Sequence, residues 1–247
     1  MKTARNRVLI GLAGWSEATS RQSAFFSVPK VPGVSSLARY ASAFDFVEIN
    51  SSFYRQIRPS TYARWADDVP GDFRFSVKMH RLVTHYTRLK RPDLLDPFFE
   101  SVAGLGKKLA AVLVQLPPSL AFDAEVAESF FDALRRHYPG PVVCEPRHAS
   151  WEDAAVSEMF RRHHIGRVHT EVPAPTRESD GPEVPVYVRL HGAPRRYYSA
   201  YNSDQLRQLA AFLQANAHRR RFVVFDNTAS SAAVRNAAEL RAQLPPA

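Results

Sequence analysis

The chain has 247 residues, 45% hydrophobic and 23% charged, which suits one α/β barrel with a core that needs no disulfide staples. It contains no run of about 18 apolar residues, the length a transmembrane helix needs, and its one cysteine, Cys144, excludes an internal disulfide and favours a reducing cytoplasm. The net charge of +9 is compatible with a polyanionic partner but is read first as solvated surface, and Arg219-Arg220-Arg221 sits where a helix ends and cations complement its dipole.

The first segment, Met1 to Arg7, is basic, yet the apolar run after it, Val8–Ala13, is too short for a signal-peptide core and reads as a first strand. Gly11 and Gly14 in it do not form the Gly-x-Gly-x-x-Gly pattern of a dinucleotide site, so no cofactor is expected. Seven further short apolar runs follow: Phe46–Asn50, Arg74–Lys78, Ala111–Gln115, Val142–Arg147, Arg167–Val172, Pro185–His191 and Phe222–Asn227. Between them lie helical stretches at Ser35–Ala43, Thr61–Asp67 after Ser60, Leu94–Leu105, Ala124–His137, Trp151–His163 after Ser150, Asp204–His218 after Ser203, and Ser231–Leu244. Ser150 with Asp153 resembles a capping box. The alternation predicts parallel strands with right-handed crossovers in a single (β/α)₈ TIM-like barrel over residues 1–247. The sixth and seventh strands are joined by Pro173–Val184, whose Pro173, Pro175, Gly181 and Pro182 predict a loop in place of a crossover helix. A doubly wound open sheet is the alternative.

Barrel strands alternate between inward and outward residues, and outward residues meet helices. Placing Val47, Ile49, Phe75, Val77, Cys144, Val188 and Leu190 outward puts Glu48, Asn50, Lys78, Gln115, Glu145, Arg147, Arg189 and His191 inward, all late in their strands. The eighth strand is ambiguous, with Phe225 and Asn227 sharing a parity. Strand C-termini form the mouth where barrel active sites are built. Buried ionisable groups are costly unless they pair or serve a ligand, so the competing reading is a closed Glu–Arg and Glu–Lys network that plugs the barrel.

These segments resemble a known family. Glu48-Ile49-Asn50-Ser51-Ser52-Phe53-Tyr54, Phe75-Ser76-Val77-Lys78 with Thr84-His85, Gln115-Leu116-Pro117-Pro118, Glu145-Pro146-Arg147-His148 with Ser150-Trp151, Tyr187-Val188-Arg189-Leu190-His191-Gly192 with Tyr198, and Phe225-Asp226-Asn227-Thr228 are similar, in order, to the motifs of the YecE-like family (domain of unknown function 72). The resemblance implies a TIM-like barrel and carries no reaction with it. The chain departs from the family pattern at Ser16-Glu17, at Phe26–Pro29, at His169-Thr170-Glu171 and at Asp226.

The inward residues define the expected chemistry. Lys78, Arg147 and Arg189 against Glu48 and Glu145 leave a positive excess that suits a small anionic ligand, phosphorylated or sugar-like. Glu48, Lys78, Glu145 and His191 are the candidate acid–base or nucleophilic groups. Asn50, Tyr54, His85, Gln115, Arg147, Arg189, Tyr198 and Asn227 are the candidate substrate-binding residues. Trp15 and Trp151 also follow strands, and a capping role suits Trp151. No metal site is expected: Glu48, Glu145, His169, Glu171, His191 and Asp226 are conceivable ligands, but three cations share their space, and His163-His164 reads as surface. Two other function classes stand beside a metal-independent enzyme. One is a nucleic-acid-binding phosphodiesterase, suggested by charge and mouth aromatics; the other is a non-catalytic ligand-binding protein.

Overall fold

In a computed structural model describing residues 7–16, 32–172 and 183–245, eight parallel strands close into a barrel in the order β1 to β8. They are β1 (Val8–Ala13), β2 (Phe46–Ile49), β3 (Arg74–Lys78), β4 (Leu109–Gln115), β5 (Val142–Glu145), β6 (Ile165–His169), β7 (Val186–Leu190) and β8 (Arg221–Phe225). Around them run α1 (Ser36–Ala41), the short α2 (Ser51–Tyr54), α3 (Pro59–Asp67), α4 (Leu95–Val102), α5 (Ala124–His137), α6 (Ala154–Arg162), α7 (Ser203–Ala215) and α8 (Ala232–Gln243). The expected loop at Pro173–Val184 falls almost wholly outside the described residues, as do Glu17 and Phe26–Pro29.

Several element ends differ from the sequence reading, each for a local reason. The α3 helix begins at Pro59, whose missing N–H costs nothing in the first turn, so Ser60 lies inside it and is not its cap. Trp151 belongs to a separate 3₁₀ turn, Ala149–Glu152, and α6 is capped by Asp153, whose carboxylate accepts from the Ala155 N–H at 2.7 Å; Ser150 caps no helix. In α7 the cap is Asn202, in a reciprocal capping box with Gln205, so Ser203 is the first helical residue. The α4 helix stops at Val102 and passes into a tighter turn, Ala103–Lys108, where Gly106 adopts φ 51°.

The barrel holds two distinct cores. Ile10, Val47, Val77, Val112, Val188 and Val223 face outward into the helix layer. Leu9, Phe46, Ala111, Leu113, Val143, Val168, Phe222 and Val224 pack inside the barrel. This inner core fills the N-terminal part and gives way to polar residues toward the strand C-termini. The changeover is at Tyr187, whose hydroxyl lies 2.7 Å from Ser76 Oγ and donates to Glu48 Oε2 at 2.8 Å.

The seam between β1 and β2 carries a side-chain bridge. Tyr40 of α1 accepts from the Leu12 N–H at 3.0 Å and donates to the Phe46 carbonyl at 2.7 Å. Its hydroxyl therefore joins backbone groups of both strands. Burial holds the hydroxyl in its protonated form, against the opposing pull of the Leu12 N–H. A Cβ on Gly11 would sit 2.0 Å from the Phe46 carbonyl oxygen and 3.1 Å from the Tyr40 hydroxyl, whereas a Cβ on Gly71 meets nothing within 4 Å. Gly11→Ala is expected to lower stability by at least about 2 kcal/mol through this clash, and Gly71→Ala by much less. Urea denaturation of the two variants side by side checks this; equal stabilities would show that the β1–β2 seam yields without cost.

Candidate functional site

Beyond Tyr187, the barrel interior becomes a network of charges centred on Arg189. Its Nε donates to Glu48 Oε1 at 2.9 Å, its Nη1 to Glu145 Oε2 at 3.1 Å, and its Nη2 lies 3.1 Å from Asp226 Oδ2. One guanidinium thus meets carboxylates from β2, from β5 and from the residue after β8. Burial opposes its charge, but Glu48, Glu145 and Asp226 together hold its proton far more tightly than usual. Glu145 Oε1 also accepts from Arg147, Nε at 2.9 Å and Nη2 at 2.6 Å, and lies 3.1 Å from His191 Nε2. Burial raises its affinity for a proton, yet Arg189, His191 and Arg147 outweigh burial and keep it well below the usual carboxylate range. His191 is gripped from both sides, with Nδ1 at 2.9 Å from Asp226 Oδ2. Asp226 titrates below its ordinary value for the same reasons: burial raises it, while Arg189, the His191 hydrogen bond and Lys78 lower it.

Lys78, at the end of β3, stands apart. Its residue is 8% exposed. Its ammonium lies 4.1 Å from the centre of the Phe53 ring and makes no hydrogen bond or ion pair among the described residues. The oxygens of Glu48 and Glu145 are occupied by Arg189, Arg147, His191 and Tyr187. Burial first, and Arg189 next, push the Lys78 amine down to about 8, against the pull of Glu48, Glu145 and Asp226. His85, hydrogen-bonded through Nδ1 to Thr84 Oγ1 at 2.9 Å, is lowered by burial and then by Lys78 and Arg147, which places the three in one neighbourhood.

Three findings correct or complete the sequence reading. Asp226, not Asn227, faces inward on β8. Asn227 is buried and donates to Ser199 O and Asn236 Oδ1, both at 3.0 Å, which ties β8 to α8 and takes its amide out of the mouth. Arg189 does not present a free guanidinium to an anion, because three carboxylates hold it. On β6, Val168 faces the barrel interior, while Arg167 and His169 point into the helix layer against Phe160 and Phe212. Asp226 also removes the cationic excess counted from sequence: Lys78, Arg147 and Arg189 now oppose three carboxylates.

The other candidates lie around this centre. Asn50 follows β2, and its Oδ1 is buried without a hydrogen-bond partner. Gln115 donates to Leu116 O at 2.7 Å. Tyr54 and Tyr198 are exposed, with Arg81 over the first ring and Arg195 3.9 Å from the centre of the second. Trp151 is core: its indole donates to Leu120 O and packs on Phe122 and Phe160, and Trp15 packs on Trp65. His163 is buried between α6 and α5, against Glu128 and Asp132, and is not the surface residue its sequence suggested. Among the described residues, no group of three or more His, Cys, Asp or Glu is disposed to hold a metal ion. Arg189 occupies the position between carboxylates that a cation would take. A cavity of about 470 Å³ opens at the opposite end of the barrel, but of its charged residues Arg7 and Arg241 both pair with Asp45, and Arg221 donates to the Leu213 carbonyl.

These placements predict opposite stability effects at two buried cations. Lys78 binds its proton less tightly folded, near pH 8, than unfolded, near 10.5. Below pH 8 the folded state therefore carries a full cost of about 3 kcal/mol, which fades as pH rises toward 10.5. Lys78→Met is expected to stabilise the chain at pH 7 by up to that amount, with the gain shrinking above pH 8. Arg189→Met strands three carboxylates and is expected to cost about 3–5 kcal/mol. Denaturant unfolding at pH 7 and pH 10 separates the cases, and a destabilised Lys78→Met at pH 7 would mean the amine is already compensated.

Comparison with known proteins agrees with this architecture. A family model described as protein of unknown function DUF72 matches residues 9–247. The UPF0759 protein YunF of Bacillus subtilis (strain 168) is 27% identical over 271 aligned residues, covering 94% of this chain and 93% of its own. The UPF0759 protein YecE of Escherichia coli (strain K12) is 31% identical over 86 residues, 34% of this chain and 32% of its own. A DUF72 structure from Enterococcus faecalis V583 superposes with a TM-score of 0.78 at 22% identity, covering 98% of this chain and 96% of that one. A second, from Thermotoga maritima MSB8, gives 0.75 at 24% identity over 95% and 98%. No helix among the described residues is long and apolar enough to cross a membrane. With the family model matched from the first strand to the last residue, the chain belongs to the DUF72 family of YecE-like proteins.

Proposed function

We propose that the protein is a metal-independent enzyme that acts on a small anionic substrate, phosphorylated or sugar-like, by acid–base chemistry at the C-terminal mouth. One observation carries this reading: the network around Arg189 satisfies its carboxylates without Lys78, a buried amine that a plug of ion pairs would use. The two cations at its edge have donors left. Arg147 is 17% exposed in its side chain, against 2% for Glu145 beneath it, and its Nη1 makes no hydrogen bond among the described residues. An anion entering the mouth meets Arg147, Lys78 and His85 before any unpaired acid. His191, fixed at Nδ1 by Asp226, turns Nε2 toward Glu145 and Arg147, the arrangement of a proton-transfer group held by a carboxylate.

A second reading, a nucleic-acid-binding phosphodiesterase, draws on the rim. The six exposed large apolar side chains among the described residues, including Tyr54, Tyr86, Tyr197 and Tyr198, all fall in connections that leave strand C-termini. Arg81, Arg195 and Arg196 lie over these tyrosines. Stacking platforms beside cations suit single-stranded nucleic acid. A non-catalytic ligand-binding protein would use the same mouth without turnover.

Thermal melts in inorganic phosphate, sugar phosphates, carboxylates, oligonucleotides and divalent metals discriminate among these readings. Phosphate or a sugar phosphate is expected to stabilise the fold by about 2.7 kcal/mol at a hundredfold excess over its Kd. Arg147→Ala is expected to weaken that binding at least about tenfold. Stabilisation by oligonucleotide alone favours the second reading, by metal alone a metal-dependent reaction. Absence of any anion shift would remove the basis for an anionic substrate.

A further inference from the structure

We propose that Lys78 is the nucleophile of this mouth and forms a Schiff base with a small anionic aldehyde or ketone. The inference rests on the reading of the mouth as an enzyme site and adds the substrate class to it: a carbonyl compound.

The argument starts from what Lys78 does not do. Three carboxylates occupy the same end of the barrel, and a lysine there ordinarily pairs with one of them. Here Glu48 holds Tyr187 and Arg189, Glu145 holds Arg189, Arg147 and His191, and Asp226 holds Arg189 and His191. The amine is left on the face of Phe53, 4.1 Å from the ring centre. Ser52 Oγ shares its proton between Ile49 O at 2.8 Å and the Lys78 carbonyl at 2.7 Å, which ties the backbone that carries the amine to the start of α2 and the end of β2. Desolvation plus a neighbouring cation is the environment that turns lysine into a nucleophile near neutrality, and burial with Arg189 supplies both. The facing groups from the other elements are Glu48 on β2, Glu145 on β5, Arg189 on β7, Asp226 after β8, and Arg147 and His85 in the connections after β5 and β3.

The step balances without any further reactant. The ammonium first yields a proton to a base in the mouth. The neutral Nζ then attacks the carbonyl carbon, forming the C–N bond as the carbonyl π pair moves to oxygen, and a proton passes from nitrogen to that oxygen to give a carbinolamine. The first proton returns to the hydroxyl, which leaves as water, and the nitrogen lone pair closes the iminium. The net change is ammonium plus carbonyl giving iminium plus water. The iminium draws electrons from the adjacent carbon, which is the use of such an adduct in breaking or making a bond there. The anionic group of the substrate would lie against Arg147.

The test uses the intact protein with two reductively trapped probes at pH 7 and peptide mapping of every lysine. With formaldehyde and cyanoborohydride, Lys78 is expected to be modified at least about tenfold faster than the exposed Lys90 and Lys107, because more of it is unprotonated. With dihydroxyacetone phosphate and cyanoborohydride, occupancy at Lys78 is expected to exceed that reached with unphosphorylated dihydroxyacetone at least about tenfold, and Arg147→Ala to abolish the difference. Lys78 lagging behind the exposed lysines with formaldehyde overturns the proposal, as does equal labelling of Lys78 by the two dihydroxyacetones. Phosphate stabilisation that depends on Arg147, together with failed trapping, would leave the anionic acid–base reading standing and remove only the Schiff base.

Discussion

The arrangement of the upper barrel depends on the burial of one guanidinium. Arg189 is 2% exposed, and such a charge survives away from water only where carboxylates meet it with good geometry. Here they come from β2, β5 and the end of β8, so the requirement ties distant parts of the barrel wall to one point. Everything else at the mouth follows from how those carboxylates divide their oxygens. Glu145 gives one oxygen to Arg189 and the other to Arg147 and His191, which fixes the orientation of both. Asp226 completes the hold on His191. Planarity and a fixed fork of donors let arginine do this; a lysine at the same position would meet the carboxylates as a point charge and leave some of them unsatisfied.

The two ends of the barrel interior differ in character, one apolar and one charged. The N-terminal part is an ordinary apolar core built from Phe46, Leu113, Val143, Phe222 and their neighbours. Tyr187 joins the halves, with its ring in that core and its hydroxyl on Glu48. Burial and the Glu48 charge keep this hydroxyl protonated far above the usual tyrosine range, so it remains a donor to Glu48. The lower core can hold the strands in register while the upper layer carries polar groups at a cost. Outside the barrel, Cys144 is buried among the helix-facing residues, and its thiol is pushed up by desolvation, which leaves it unreactive and without part in the mouth.

Much of this was legible in the sequence because barrel strands impose a strict period of two. Where the outward positions are apolar, as with Val47 and Ile49 or Val188 and Leu190, the inward residues Glu48 and Arg189 follow directly. Where both faces are apolar, or where an outward residue is polar, the period of two carries no information about which face is inward. Arg221–Phe225 offers no alternation from Phe222 to Phe225, so the sequence leaves the parity of β8 open and Asn227 stands as the candidate, whereas Phe222, Val224 and Asp226 share the inward face. On β6 the outward Arg167 packs over Phe160 at 5.0 Å, which a rule of apolar outward residues cannot foresee. Pairing was also beyond reach. Sequence places Lys78 and Arg189 on the same inner face, yet only coordinates show that one is saturated by carboxylates and the other has none.

Lys108 shows what a structural lysine looks like in this molecule. Its ammonium donates to the Ala66 carbonyl at 2.5 Å and the Val69 carbonyl at 2.7 Å, capping the chain where α3 ends. Lys78 has neither carbonyl nor carboxylate, although acids lie in the same barrel end, and its burial works against folding. A methionine would fill similar space beside Phe53 without carrying a charge to desolvate. Packing therefore does not account for an amine at this position, and pairing does not either. The proposed Schiff base would account for it: a buried amine at a strand end, flanked by a cation, with a histidine–carboxylate pair in the same mouth. A barrel that only needed to be plugged would have used the lysine as it uses Arg189.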